Sequence, residues 1–214
     1  METFTTRVIV VEDSVSKTKI ITLDKKLDFK PGQWIYLFVD KWGFKIKKPY
    51  SIFSLPGEQI ELLVEDVGYV SNKICSLKVN DEIEISEPLG VFSIDNNPKN
   101  INFVAFDTGI APFRSMIKQA MDSNSNVELV YLSEKNEMIY EKYFGGIENK
   151  NNNFRLHKHI GLKKQQLAER LKTTVAGIGK IDVVYICGLI YLVEDARRVC
   201  SELGIENVYF ENYV

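Results

Sequence analysis

Asn102-Phe-Val-Ala-Phe-Asp-Thr-Gly-Ile-Ala-Pro-Phe-Arg114 decides how this chain is read. Phe103 to Phe106 is an apolar run of strand length, built from branched and aromatic residues. Thr108 and Gly109 make a turn, and Pro112 suits the first turn of a helix, where its missing N–H costs nothing. Phe113, Met116 and Ile117 then alternate with Arg114, Ser115 and Lys118 at helical spacing. Ile110 and Ala111 carry no capping oxygen, so the first N–H groups of this helix are left to water or to an anion.

Working outward, strand 102–106 and helix 111–122 begin a regular alternation. Strand 127–132 leads to a helix at 137–144, strand 154–159 to a helix at 163–175, and strand 182–187 to a helix at 190–203; strand 207–211 closes the series. Such alternation predicts a parallel sheet with helices on both faces. Ligands of such sheets bind at the carboxyl ends of the strands. Asp107-Thr108-Gly109 and Cys187-Gly188-Leu189 fall at such ends and are expected to line one crevice that faces the earlier part of the chain.

That earlier part is strand-rich. Thr5 to Val11, Lys17 to Leu23, Gln33 to Val39, Tyr50 to Ser54, Ile60 to Glu65 and Glu82 to Ser86 read as strands. Pro31-Gly32, Pro56-Gly57 and Asn80-Asp81 punctuate them. Six strands at this spacing predict a small antiparallel barrel, interrupted by one helix over Ser71 to Leu77. The polar run Asp95 to Asn100 marks the expected boundary between a first domain, 1–97, and a second, 98–214.

The totals exclude several classes. A net charge of −2 gives no reason to expect nucleic acid or an anionic membrane as partner. The longest apolar run, Val183 to Val193, is far below the ~20 residues that span a bilayer. Met1 to Thr6 is polar and runs straight into a strand pattern, so no leader is expected. Cys75, Cys187 and Cys200 form no CxxC pair, which argues against a disulfide framework and against a metal or iron–sulfur cluster held by cysteine. A reducing cytoplasm is the expected setting. His157 and His159 have no acidic or cysteine companion in sequence and read as solvated rather than as metal ligands.

Five short motifs now resemble, in order, those of the ferredoxin–NADP reductase-like flavoprotein reductases, in a single-chain form without its own iron–sulfur domain. Pro31-Gly32-Gln33-Trp34 resembles the family's Pro-Gly-Gln-aromatic strand start. Lys48-Pro49-Tyr50-Ser51 resembles its flavin motif Arg-x-Tyr-Ser/Thr. Gly68-Tyr69-Val70-Ser71 resembles its Gly-x-x-Ser pyrophosphate turn, followed by Pro88 to Phe92. Asp107 to Pro112 resembles its Gly-Thr-Gly-Ile-Ala-Pro nucleotide loop, and Cys187-Gly188 with Glu211-Asn-Tyr213 resembles its Cys-Gly pair and C-terminal Glu-x-aromatic.

The resemblance implies an FAD-binding barrel followed by a nicotinamide-nucleotide domain, and hydride transfer from NADH or NADPH to flavin N5. It places Tyr50 against the flavin, Ser51 near N5, Lys48 at the flavin phosphate with Pro49 beside it in the same cofactor-binding motif, and Gly68, Val70 and Ser71 at the pyrophosphate. It places Thr108, Gly109 and Gly188 at the nucleotide, Cys187 beside the nicotinamide, Glu211 in proton traffic and Tyr213 over the flavin ring. A structural alternative stands beside each: a plain barrel strand for Tyr50, a helix cap for Ser71, a buried thiol for Cys187, terminal packing for Tyr213.

Two departures from the family pattern matter. Lys48 replaces arginine, keeping the charge and losing the two-pronged geometry. Asp107 replaces glycine; a carboxylate ~4 Å from a phosphate costs roughly 1–4 kcal/mol, unless it turns aside to bond locally. Glu134, at the end of strand 127–132, can accept the ribose 2′-OH of NADH, whereas Lys135 argues the other way; the balance leans to NADH.

The next acceptor is then a separate ferredoxin, oxygenase component or other redox partner. Lys41, Lys45, Lys47 and Lys48 read as a solvated loop, with steering of an acidic partner as the alternative. Other functional readings are a free-flavin reductase, a non-enzymatic flavin relay whose nucleotide site has decayed at Asp107, and the electron-transfer subunit of a larger dehydrogenase.

Overall fold

β-branched and aromatic residues of alternating burial dominate the first strands of the protein, whose computed structural model describes residues 1–213. Strands β1 (Thr3–Asp13), β2 (Thr18–Leu23), β3 (Trp34–Lys41), β4 (Phe44–Ser51), β5 (Glu61–Glu65) and β6 (Glu82–Ser86) form one antiparallel sheet in the order β4-β3-β6-β1-β2-β5. A bridge between Ile52 and Leu62 joins the chain just past β4 to β5, so the two edges of the sheet meet. Inside lie Val8, Leu23, Ile35, Leu37, Leu62 and Ile85. Helix α1 (Tyr69–Cys75) brings Ile74 and Cys75 against this core. The expected six-stranded antiparallel barrel is what the chain builds.

One strand begins earlier than expected, and the four lysines do not lie in a solvated loop. Lys41 ends β3, and Lys45, Lys47 and Lys48 lie on β4. Trp42 (φ +53°) and Gly43 (φ +81°) close a two-residue hairpin between the strands. Lysine is depleted in strands, which hid this one. Cross-strand partners explain why it forms all the same: Lys45 pairs with Glu84, and Lys47 lies 4.1 Å from the Tyr36 ring.

From Ile94 onward the chain forms a second compact unit; the first ends at Ser93. Strands β7 (Asn100–Phe106), β8 (Asn126–Leu132), β9 (Phe154–His159), β10 (Val183–Leu189) and β11 (Val208–Tyr213) pair in parallel in the order β11-β10-β7-β8-β9. β7 is central and buried on both faces. On one side Phe103 packs on Phe113 (4.9 Å) and Tyr185 (5.6 Å). On the other, Val104 and Phe106 join Leu171, Val175, Val193 and Ala196 from helices α4 (Lys164–Gly177) and α5 (Ile190–Glu202).

Three helices start elsewhere than expected; α1 begins at Tyr69 rather than at Ser71. A 3-10 turn over Asp107–Ile110 precedes α2, which runs Phe113–Asp122 rather than from residue 111. Helix α3 runs Glu141–Glu148 rather than 137–144, because Tyr140 adopts a left-handed backbone (φ +58°) that no helix continues through. Among the described residues no helix is long and apolar enough to cross a membrane.

Candidate functional site

The chain lays down β8 and β9 on one side of β7, then returns to lay β10 and β11 on the other. The carboxyl ends of β7 and β10 therefore flank the switch point where open α/β sheets bind ligands. The two backbones touch there. A Cβ added to Gly109 would lie 2.1 Å from the Cys187 carbonyl oxygen and 2.5 Å from its carbon, so only glycine fits. A Cβ added to Gly188 would lie 2.7 Å from Phe106 Cβ. Asp107-Thr108-Gly109 and Cys187-Gly188 thus build one floor.

Register on β10 and β11 sets the rest. Cys187 lies opposite Glu211, and Leu189 opposite Tyr213. The Cys187 thiol donates to the Tyr213 hydroxyl at 3.3 Å. Cys187 is fully buried; burial first, then the Glu211 carboxylate, pushes its thiol far above its ordinary value. It is neutral at any physiological pH, which suits packing rather than thiolate chemistry.

Burial also pushes Cys75 and Cys200 up to about 11. Native protein at pH 8 is therefore expected to take up thiol reagent slowly at all three sites, whereas unfolded protein takes three equivalents quickly. The sign for stability follows. A thiol raised from 9.0 to about 11 stabilises the fold fully below pH 9 and loses that contribution as pH climbs toward 11. Fast native labelling at pH 8, or stability unchanged from pH 8 to 11, would contradict this.

Asp107 has a left-handed backbone (φ +49°), which aspartate tolerates better than most residues. Its carboxylate accepts a hydrogen bond from Ser133 Oγ at 2.6 Å and lies 3.7 Å from Lys135 Nζ. The Lys135 N–H in turn donates to Ser133 Oγ at 2.9 Å. The side-chain partners come from the end of the neighbouring strand, where the sequence had pointed only to local backbone. Glu134 beside them is exposed. Tyr191, in the first turn of α5, completes the rim; burial, then the Glu134 and Asp107 carboxylates, raises its phenol, and Lys164 Nζ lies 3.8 Å from its ring centre.

As the sequence implied, α2 has no side-chain cap. Arg114 at its start is 7% exposed, and its guanidinium stacks 5.1 Å from the Tyr140 ring and 5.2 Å from the Tyr143 ring. Sequence reading missed this cluster. The spacing of the two tyrosines was its only local sign.

In the barrel, Lys48 and Tyr50 share one face of β4 and Pro49 and Ser51 the other. Tyr50 packs against the barrel core, and burial holds its phenol protonated well above its usual value. Ser51 is 4% exposed and pairs in register with Trp34. Gln33 Nε2 donates to the Gly90 carbonyl at 3.1 Å, and a Cβ on Gly90 would meet Trp34 Nε1 at 2.6 Å. The motifs at 31–34 and 88–92 are therefore two halves of one packed corner.

At α1, Ser71 Oγ accepts from the Val67 and Gly68 N–H groups, each at 3.0 Å, and donates to the Gly68 carbonyl at 3.1 Å. Its hydroxyl acts as a local cap. The N–H groups of Tyr69, Val70 and Ser71 precede the first intrahelical bond, from Asn72 N–H to the Gly68 carbonyl at 2.8 Å. The Tyr69 hydroxyl donates to the Asp40 carbonyl at 3.3 Å, which ties α1 to the hairpin bearing Lys48. The Lys48 side chain is exposed and, unlike its neighbours, makes no contact with an acidic or aromatic side chain among the described residues. Aimed N–H groups, an uncommitted ammonium and a half-buried phenol ring fit a flavin dinucleotide.

Comparison with known proteins agrees. Residues 6–94 match the family model described as an oxidoreductase FAD-binding domain. The chain is 30% identical over 138 residues to the glycine betaine monooxygenase reductase subunit of Pseudomonas aeruginosa, covering 60% of this chain and 38% of that one. It is 26% identical over 208 residues to ferredoxin–NADP reductase B of Sorangium cellulosum, covering 86% of this chain and 85% of that one. The chain thus spans well under half the length of the first of these relatives. Its fold matches a ferredoxin NADP+ reductase from Neisseria gonorrhoeae, solved with bound FAD and NADP, at a TM-score of 0.83 and 17% identity, covering 99% of both chains. Residues 6–94 match an oxidoreductase FAD-binding domain, and over nearly its whole length the chain is similar to the ferredoxin–NADP reductase-like flavoprotein reductases.

Proposed function

We propose that the protein is an FAD-dependent NAD(P)H reductase that passes electrons to a separate acceptor, a ferredoxin, an oxygenase component or another redox partner. The observation that carries this reading is the contact of Gly109 with the Cys187–Gly188 peptide at the sheet's switch point, in a chain whose other domain matches an FAD-binding model. Bound FAD supplies the acceptor for two electrons and a proton from the nicotinamide and can release the electrons singly.

The chain's own residues do the positioning. Lys48 and the N–H groups at Tyr69 and Val70 hold the flavin pyrophosphate, with Gly68 presenting no side chain there and Ser71 rigidifying the turn. Pro49 stiffens β4 beside the flavin. Tyr50 lies along the ring, and Ser51 offers a hydroxyl near its reacting nitrogen. Thr108, Gly109 and Gly188 present backbone to the nucleotide, and Glu134 accepts from a ribose hydroxyl. Cys187 packs as a neutral thiol against the nicotinamide. Tyr213, now hydrogen-bonded to Cys187, gives way when nicotinamide arrives, and Glu211 handles the proton.

Relatives named as the reductase subunit of a monooxygenase and as a ferredoxin–NADP reductase support a protein acceptor. The test is an anaerobic titration of purified, flavin-loaded protein with NADH and with NADPH, read at the visible flavin band. Stoichiometric bleaching by one or both is expected. Bleaching by neither would sink the reductase reading in favour of a flavin relay, and flavin that washes out freely would favour a free-flavin reductase.

A further inference from the structure

We propose that Asp107 is a specificity residue, selecting NADH over NADPH by neutralising Lys135. This rests on the nicotinamide-nucleotide reading above. Lys135 sits at the carboxyl end of β8, where the acceptor for the adenosine ribose is expected. Alone, its ammonium would attract a 2′-phosphate. The Asp107 carboxylate lies 3.7 Å away, and both side chains are only about one-fifth exposed (20% for Lys135, 22% for Asp107), so water screens the pair weakly.

Ser133 holds the arrangement together: its hydroxyl donates to Asp107 and accepts from the Lys135 N–H. Glu134 is adjacent, and Lys164 Nζ lies 3.8 Å from the ring of Tyr191 on the same rim. NADPH differs from NADH by one phosphate, so any potential at this rim acts on that difference. With Asp107 in place the Lys135 ammonium is committed to a carboxylate; without it that ammonium is left to meet the extra phosphate.

Asp107→Asn isolates the charge. Asparagine tolerates the φ of +49° and its carbonyl oxygen can still accept from Ser133. Dissociation constants for NADH and NADPH are measured on the flavin-loaded full chain as wild type, Asp107→Asn, Lys135→Met and the double variant. The same set is titrated calorimetrically with 2′-AMP and 5′-AMP, which report the phosphate preference without any hydride transfer.

Asp107→Asn is expected to shift the NADPH-to-NADH affinity ratio, and the 2′-AMP-to-5′-AMP ratio, about tenfold toward the 2′-phosphate. Lys135→Met in the same chain is expected to cancel the shift. Ratios unchanged by Asp107→Asn, or a shift that persists without Lys135, would overturn the proposal. If the fragments follow the expected pattern but neither dinucleotide bleaches the flavin, the proposal stands and the reductase reading falls. If no variant binds any nucleotide, both fall.

Discussion

Gly109→Ala is expected to lower the stability of the second domain by about 3 kcal/mol and to weaken nucleotide-driven flavin bleaching about a hundredfold. The added Cβ would lie 2.1 Å from a carbonyl oxygen and 2.8 Å from the Gly188 nitrogen. These are backbone atoms of β10, which is hydrogen-bonded in parallel to β7 and to β11. No rotamer can relieve the clash; a strand must move. A loss of that size lowers the melting temperature of the second domain, Ile94–Val214, by roughly 10–15 °C. The barrel has its own core and its own sheet, so its transition should stay where it is. Two-transition calorimetry checks this. A second-domain transition at the wild-type temperature would mean that the β7 and β10 ends do not touch as described. Gly188→Ala is strained as well: its Cβ would lie 2.7 Å from Phe106 Cβ, which no rotamer moves, at a backbone φ of +157° that L side chains rarely adopt.

Replacement of Tyr50 by alanine should strip flavin from the barrel. Tyr50 lies opposite Ile35 and packs against the core formed by residues such as Ile35 and Ile74. Truncation removes part of a half-buried ring, which costs about 2 kcal/mol of barrel stability. It also removes the aromatic face proposed to lie along the flavin, a contact of about 1.4 kcal/mol and hence a tenfold loss of affinity. The flavin-to-protein ratio after gel filtration reads the second effect, and the barrel's melting transition the first. Tyr50→Phe keeps the ring and should stay near wild type on both counts. Alanine at 50 with full flavin content would take Tyr50 out of the flavin site.

Much of this arrangement is written locally. The run Phe103 to Phe106 is apolar on both faces because β7 is central, and such continuous burial is what a middle strand of a parallel sheet requires. Gly109, Pro112 and Gly188 announce their turns by residue type. Local signals misled where side-chain chemistry and backbone demand differ. Four lysines around a Trp-Gly turn look like solvent-loving loop, yet Glu84 and Tyr36 across the sheet hold Lys45 and Lys47 on a strand. Helix periodicity also placed α3 four residues early, because periodicity does not register the single left-handed residue at Tyr140.

Alternation of period 2 and period 3.6 by itself determined a β-barrel followed by an α/β sheet, and glycine placement determined where that sheet turns. Those features depend on neighbours along the chain, so the chain displays them. The tertiary structure alone decided that Asp107 is held by Ser133 and Lys135, that Arg114 lies against two tyrosines, and that the Cys187 thiol meets the Tyr213 hydroxyl. Each of those contacts joins the ends of different elements. Their proximity follows from strand order and register, which arise only when the whole sheet buries its core.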